Sequence, residues 1–197
     1  SAICRANLWL RCADRVFLKM GEFEAKSFEQ LFEGTKSLPW ENWIPADAVF
    51  PVTGSCIRST LMSISDCQSI IKKAIVERLK KKYGFERFPE TGAKYKVVFW
   101  ILKDIVILGL DTSGEGLHKR GYRRRTTTAP LKETLASALL LISRWSPDKP
   151  LLDPFCGSGT IPIEAAMMGL NLAPGLNRSF DAQYWSNISQ TLWQQAV

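Results

Sequence analysis

The clearest chemistry in this 197-residue chain lies in Leu151-Leu152-Asp153-Pro154-Phe155-Cys156-Gly157-Ser158-Gly159-Thr160. An apolar pair closes on an acidic residue, two glycines follow two positions apart, and an apolar run continues from Thr160 to Met168. The pattern predicts a strand over Leu151 to Asp153, a glycine-rich loop and then a helix, which is the first strand-to-helix turn of a doubly wound sheet. Gly157 and Gly159 permit a tight turn and let a ligand approach the backbone. The following helix would direct its first N–H groups into the crevice. The glycine spacing departs from G-x-G-x-x-G and no Gly-Lys-Ser/Thr follows, so phosphate cradling is the poorer reading. A short loop of this kind suits a nucleoside joined to an amino acid.

Other elements must hold that loop. Residues 1–112 read as alternating strands and helices, with a strand over Ala13 to Met20, a short helix over Phe28 to Glu33, a strand over Ala48 to Val52 and a turn at Thr53-Gly54-Ser55. The strongest element is a helix from Asp66 to Tyr83. Ser65 and Gln68 fit a capping box, Cys67, Ile70, Ile71, Ala74, Ile75 and Leu79 share one face, and Gly84 is a natural stop. Tyr95 to Ile101 and Ile105 to Leu110 predict a hairpin turning near Lys103-Asp104, buried on both faces. Thr112 to Gly116 reads as a flexible break. Residues 113–128 then form a basic linker, and a second unit, 129–197, opens with Ala129-Pro130. Its first helix would bury Leu131, Leu135, Ala138, Leu139 and Ile142.

Lys and Arg number 26 against 19 Asp and Glu, a net charge of +7. A basic balance favours polyanions, because neutralised phosphates release counterions. Lys72, Lys73, Lys80, Lys81 and Lys82 on the long helix, with Lys119, Arg120, Tyr122, Arg123, Arg124 and Arg125 in the linker, are the candidate RNA contacts. The competing reading for the arginine run is an ordinary solvated linker. The five cysteines contain no C-x-x-C pair and there is one histidine, so no metal site is expected and the thiols point to the reducing cytoplasm. Cys156 lacks a neighbouring base and reads as a packing residue rather than a nucleophile. His118 has no dyad partner nearby and reads as a hinge or RNA contact. No apolar run is long enough to span a bilayer, and the opening residues carry no signal-peptide pattern. The chain reads as the middle of a longer protein.

Asp-Pro-Phe-Cys-Gly-Ser-Gly-Thr-Ile-Pro-Ile-Glu resembles the first cofactor motif of class I methyltransferases that act on exocyclic amines of nucleobases. More narrowly, it is similar to the group that joins this domain to a THUMP RNA-binding domain. His118 to Arg123 and Ala129 to Ala136 resemble the segment preceding the cofactor loop in the bacterial 23S rRNA guanine-N2 methyltransferases. Ser59 to Leu79 is similar to a THUMP helix, and Asn171 to Phe180 to the region after the first Rossmann helix. The resemblance implies an α/β architecture: a THUMP-type domain over 1–112, preceded in the family by a small ferredoxin-like segment only partly present here. The start of a Rossmann-like methyltransferase domain follows over 129–197.

The resemblance further implies S-adenosyl-L-methionine as cofactor, held by Asp153, Pro154, Phe155, Cys156, Gly157, Ser158, Gly159 and Thr160, with Pro130, Leu131, Lys132 and Glu133 beside it. Asp153 would sit near the amino-acid end of that cofactor. Two family features are absent: the Asn-Pro-Pro-Tyr motif that holds the target amine, and the acidic residue for the cofactor ribose. The catalytic residues therefore remain unassigned, and the chain reads as a fragment. The implied activity is methylation of an exocyclic base amine in RNA, with guanine-N2 of 23S rRNA first. The alternatives are a non-catalytic RNA-binding fragment, a tRNA guanine methyltransferase and a DNA adenine methyltransferase.

Overall fold

The computed structural model describes residues 2–84, 87–123 and 130–197. They divide into two compact units. One comprises residues 17–112 and 184–188; the other comprises 2–16, 113–183 and 189–197.

The first unit is built on a four-stranded sheet of β1 (Phe17–Glu24), β2 (Val52–Ile57), β3 (Val97–Leu102) and β4 (Ile105–Asp111), in the order β1-β4-β3-β2. β1 and β3 run antiparallel to β4, and β2 runs parallel to β3. The predicted hairpin is present, with Lys103 and Asp104 at φ 50° and 64° in the left-handed region that two-residue turns demand. Val97, Phe99 and Ile101 face inward with Val106, Leu108 and Leu110. The other face is only partly covered: Trp100 and Ile107 are half-buried, and Leu102 and Ile105 are exposed. Val98 is buried on this face as well, so burial on both faces holds only at that end of the hairpin.

Two helices pack on this sheet, α2 (Phe28–Ser37) and α3 (Ile64–Tyr83). α3 closes on Gly84 at φ 71°, as predicted, and buries Cys67, Ile71, Ala74, Ile75 and Leu79. Its cap differs from the predicted box. The Ser63 hydroxyl accepts from the Asp66 N–H, and Gln68 donates its side-chain amide to the Val52 carbonyl. The helix starts two residues early, and Gln68 is drawn to the sheet. Thr53-Gly54-Ser55 is strand rather than turn. A Cβ at Gly54 would collide with the Phe99 backbone and ring, so the glycine serves close strand approach. Trp185, from the returning segment 184–188, stacks on Tyr95 at 4.7 Å and donates its indole N–H to the Lys94 carbonyl.

The second unit contains α1 (Ala2–Trp9), α4 (Glu133–Ile142), α5 (Thr160–Gly169) and α6 (Gln190–Gln194). Long-range hydrogen bonds carry residues 2–16 into this unit. The Ser113 hydroxyl donates to Asn7 Oδ1 at 2.7 Å, Leu117 N–H to the Asp14 carbonyl at 2.8 Å, and Gly175 N–H to the Leu8 carbonyl at 3.0 Å. Nor is Thr112 to Gly116 a loose break, since Thr112 and Ser113 are fully buried. Arg15 donates to the Gly114 carbonyl, and Arg178 donates to the carbonyls of Ser113, Glu115, Gly116 and Lys119. Part of the expected linker, residues 124–128, lies outside the described residues.

Candidate functional site

The glycine loop forms, but the strand before it does not. Leu151 to Asp153 has no ladder partner, and Leu152 is 89% exposed. A parallel strand exists only through its neighbours, and none stands beside it among the described residues. Asp153 folds back locally, its Oδ1 accepting the Phe155 N–H at 3.3 Å. Gly157 and Gly159 adopt φ 56° and 75°, and Gly159 N–H reaches the Cys156 carbonyl at 2.8 Å. Gly159 caps α5 in this left-handed conformation, which a side chain would strain. Open space lies over Gly157: an added Cβ would meet nothing within 4 Å.

Above the loop is a groove of about 280 Å³, lined by Asp153, Phe155 to Ser158, Thr160 and Ile161 on one side and by Pro130 and Leu131 on the other. Segments 20 residues and more apart in sequence thus share one concavity. Pro154 and Gly159 lie outside its lining and shape the turn. Lys132 and Glu133 face a second, larger cavity of about 670 Å³ that shares Pro130 and Leu131 with the groove. Cys156 is exposed, which corrects its reading as a packing residue. Phe155 is 94% exposed.

Arg123 joins the two sides. Its guanidinium donates to Glu133 Oε1 at 2.9 Å, the Leu131 carbonyl at 3.1 Å, Thr160 Oγ1 at 3.2 Å and Ser158 Oγ at 3.4 Å. A planar donor fork suits this convergence better than an ammonium would. One turn further along α5, Glu164 is fully buried; it accepts from Ser137 Oγ at 2.6 Å and the Tyr122 hydroxyl at 3.1 Å, with Arg120 Nε at 3.5 Å. Burial, reinforced by the Glu164 and Glu133 carboxylates, pushes the Tyr122 phenol far above its ordinary range, so it is a neutral donor. Glu164 is the only charged residue in α5. A single carboxylate in an otherwise apolar helix is the sequence signal that would have found it.

This network reverses the predicted face of α4. Its inner side carries Glu133, Thr134, Ala136, Ser137 and Leu140, whereas Leu135, Leu139 and Ile142 are exposed. Leu131 and Ala138 are half-buried. The inner face is committed to Arg123 and Glu164, and Thr134 Oγ1 reaches Asp14 at 3.2 Å.

The candidate RNA contacts separate into two groups. Arg120 is 2% exposed and donates to the Leu117 and Arg11 carbonyls, so it is a structural strut rather than a surface contact. Arg123 and Tyr122 are likewise spent inside the unit. Lys119 is exposed and pairs with Glu115 at 2.8 Å. Arg124 and Arg125 lie outside the described residues. On α3, Lys73, Lys81 and Lys82 are exposed and Lys80 is half-buried, while Lys72 pairs with Glu90 and lies 5.1 Å over the Phe50 ring. Arg78, on the same helix, forms a forked pair with Glu41 that holds this carboxyl below its usual range. Among the described residues, no group of three or more His, Cys, Asp or Glu could hold a metal ion, and no helix is long and apolar enough to cross a membrane.

Comparison with known proteins matches three stretches of the chain. Residues 25–111 match a THUMP domain, 120–196 an RMKL-like methyltransferase domain, and 1–17 an RlmL ferredoxin-like domain. The chain is 54% identical over 99% of its length to a Bacillus subtilis (strain 168) protein named "Putative RNA methyltransferase YpsC", covering 51% of it. A Listeria monocytogenes structure described as a "predicted N6-adenine-specific DNA methylase" is 56% identical with a TM-score of 0.96, over 99% of this chain and 52% of that one. The structure of SMU.472, described as "a putative methyltransferase complexed with SAH", is 44% identical with a TM-score of 0.93, over 98% of this chain and 52% of that one. The chain therefore spans about half the length of the relatives it matches, and it is similar along its length to proteins that join a THUMP domain to an RMKL-like methyltransferase domain.

Proposed function

We propose that the protein methylates an exocyclic base amine in RNA, with guanine-N2 of 23S rRNA as its target and S-adenosylmethionine as its methyl donor. The observation that carries this reading is the groove over Asp153 to Thr160, closed on its far side by Pro130 and Leu131. Its chemistry fits the cofactor: a carboxylate for an ammonium group, an open backbone over Gly157 and the first turn of α5. When bound, the cofactor supplies an electrophilic methyl group. The chain's own residues bind and orient it, since methyl transfer from an activated donor depends on positioning more than on acid–base work. Asp153 accepts from the amino-acid end. Arg123 fixes the loop's exit against the Leu131 wall, so the groove keeps its width. A relative complexed with SAH supports the choice of cofactor.

The THUMP-like unit would supply the polyanion surface, with Lys80, Lys81 and Lys82 in the last turn of α3 and Lys73 two turns before them, and the scattered thiols suit a reducing compartment such as the cytoplasm. The Asn-Pro-Pro-Tyr sequence does not occur in these 197 residues. The matched relatives are about twice as long, and the reaction is proposed for a chain of their length. Titration calorimetry tests the reading. The chain should bind SAH, and Asp153→Asn should weaken binding by about tenfold, the equivalent of one charge-assisted hydrogen bond. Undiminished binding in that variant would remove the groove from the account. Radiolabelled methyl should enter ribosomal RNA only with the longer protein, and incorporation by the 197-residue chain would overturn the assignment.

A further inference from the structure

Cys56 and Cys67 belong neither to the cofactor groove nor to the basic helix end, yet the fold brings their sulfurs to 3.9 Å. They lie in the first unit, on different elements. Cys56 stands in β2 opposite Ile101 of β3, which faces inward, and Cys67 is the fourth residue of α3. The connection between them is pinned to the hairpin turn. Thr60 N–H donates to Asp104 Oδ1 at 2.6 Å, and Asp104 N–H donates to Ser59 Oγ at 3.1 Å. A second tie joins the same two elements, from the Gln68 side-chain amide to the Val52 carbonyl at 3.1 Å. The sulfurs are therefore held side by side by backbone that the rest of the unit fixes.

The two thiols differ in access. Cys56 is half-buried, whereas Cys67 is fully buried. Burial pushes the Cys67 thiol up to about 12, and the adjoining Cys56 sulfur adds to the shift. A solvent-borne oxidant thus meets Cys56 first, with a protonated thiol directly behind it. A disulfide bond is about 2.05 Å long, so joining the pair takes an approach of about 2 Å, which rotation of two short side chains can supply. An S–H···S contact between thiols packs as any small apolar pair would. What sets this pair apart is that one sulfur is open to solvent and the other waits behind it.

We infer that Cys56 and Cys67 form a reversible oxidation site for small hydroperoxides, with Cys56 the peroxide-reactive thiol and Cys67 the resolving one. As a thiolate, Cys56 attacks one oxygen of hydrogen peroxide. The S–O bond forms, the O–O bond breaks, and the departing hydroxide takes a solvent proton and leaves as water. Cys67 then attacks the sulfenic sulfur: the S–S bond forms, the S–O bond breaks, and the Cys67 proton leaves with the hydroxide as a second water. Two thiols and one peroxide give one disulfide and two waters. In a reducing compartment the dithiol is the resting form and the disulfide a transient response. Its effect is mechanical, since it closes the connection 57–66 and fastens the start of α3 to β2. The inference is independent of the methyltransferase reading.

Trypsin cuts after Lys36, Arg58 and Lys72 and so places the two cysteines in separate peptides, 37–58 and 59–72. The folded 197-residue chain is treated with excess hydrogen peroxide, and remaining thiols are alkylated before digestion. Mass spectra should then show the two peptides linked, and dithiothreitol should separate them. Cys67→Ala should leave Cys56 as a sulfenic acid that dimedone captures, whereas Cys56→Ser should leave Cys67 unlabelled. The oxidised parent should melt roughly 5–10 °C above the reduced form, and neither variant should show that rise. The linked species is read on the parent alone, so the result does not depend on either variant folding. Peroxide that modifies the exposed Cys12 and Cys156 while Cys56 and Cys67 both stay reduced would overturn the inference. So would a linked species that forms only after the chain is unfolded, or dimedone capture of Cys67 in a folded Cys56→Ser protein.

Discussion

Glu164→Leu tests whether the buried network, rather than apolar packing, holds α4 and α5 together. Glu164 is fully buried and Arg120 is 2% exposed, with Arg120 Nε 3.5 Å from the carboxylate. Removing the carboxylate leaves a guanidinium out of water without its counter-charge, which costs about 3–5 kcal/mol. The Ser137 and Tyr122 hydroxyls also lose their acceptor, but these losses belong to the same network and do not add in full. Against a total stability of about 5–15 kcal/mol, the loss is a large fraction. For a unit of this size each kcal/mol lowers Tm by roughly 4–8 °C, so a fall of at least about 12 °C is expected. Urea melts followed by tryptophan fluorescence would measure it, with amide exchange in α4 and α5 locating it. Glu164→Gln, which keeps the shape and an acceptor oxygen, should lie between. The double change Arg120→Met with Glu164→Leu should be less damaging than the sum of the two singles. A Glu164→Leu protein within about 1 kcal/mol of the parent would refute the claim that the pair matters.

Three further outcomes follow from particular groups. Burial lowers the His118 pKa, so as pH falls below about 6.5 the unfolded chain takes up that proton first and stability declines. His118→Gln should flatten this acid limb, and an unchanged limb would mean another group is responsible. The Tyr122 phenol is held neutral well above its ordinary range, so stability should fall as pH rises beyond about 10, where the unfolded phenol ionises first. In Tyr122→Phe that alkaline loss should shrink, as read from melts across the same range. Replacing Lys73, Lys81 and Lys82 by Ala should reduce the slope of log affinity for structured RNA against log salt by about 2; an unchanged slope would move the RNA surface off α3.

Much of the first unit was legible because its signals are local. The α3 face, its Gly84 stop and the Lys103-Asp104 hairpin depend on period and turn chemistry, which neighbouring residues carry. The glycine loop was legible for the same reason: Gly157 and Gly159 take left-handed positions that glycine adopts without strain. Its strand was not, because Leu151 to Asp153 becomes a strand only beside a partner. The α4 face was misread because an apolar count ranks leucines inward. Burial there is decided instead by Arg123 and Glu164, which reach α4 from 10 and 27 residues away.

What the sequence determined by itself is an α/β unit whose α3 ends in lysines and a loop turning on Gly157 and Gly159, since periodicity and glycine placement are properties of short segments. Only the tertiary structure decided which arginines face solvent and which act as struts. It alone brought Pro130 and Leu131 over Asp153 and carried residues 2–16 into the second unit. Those outcomes rest on hydrogen bonds spanning up to about a hundred residues and more. A buried guanidinium and an exposed one are the same letter until the chain folds around one of them.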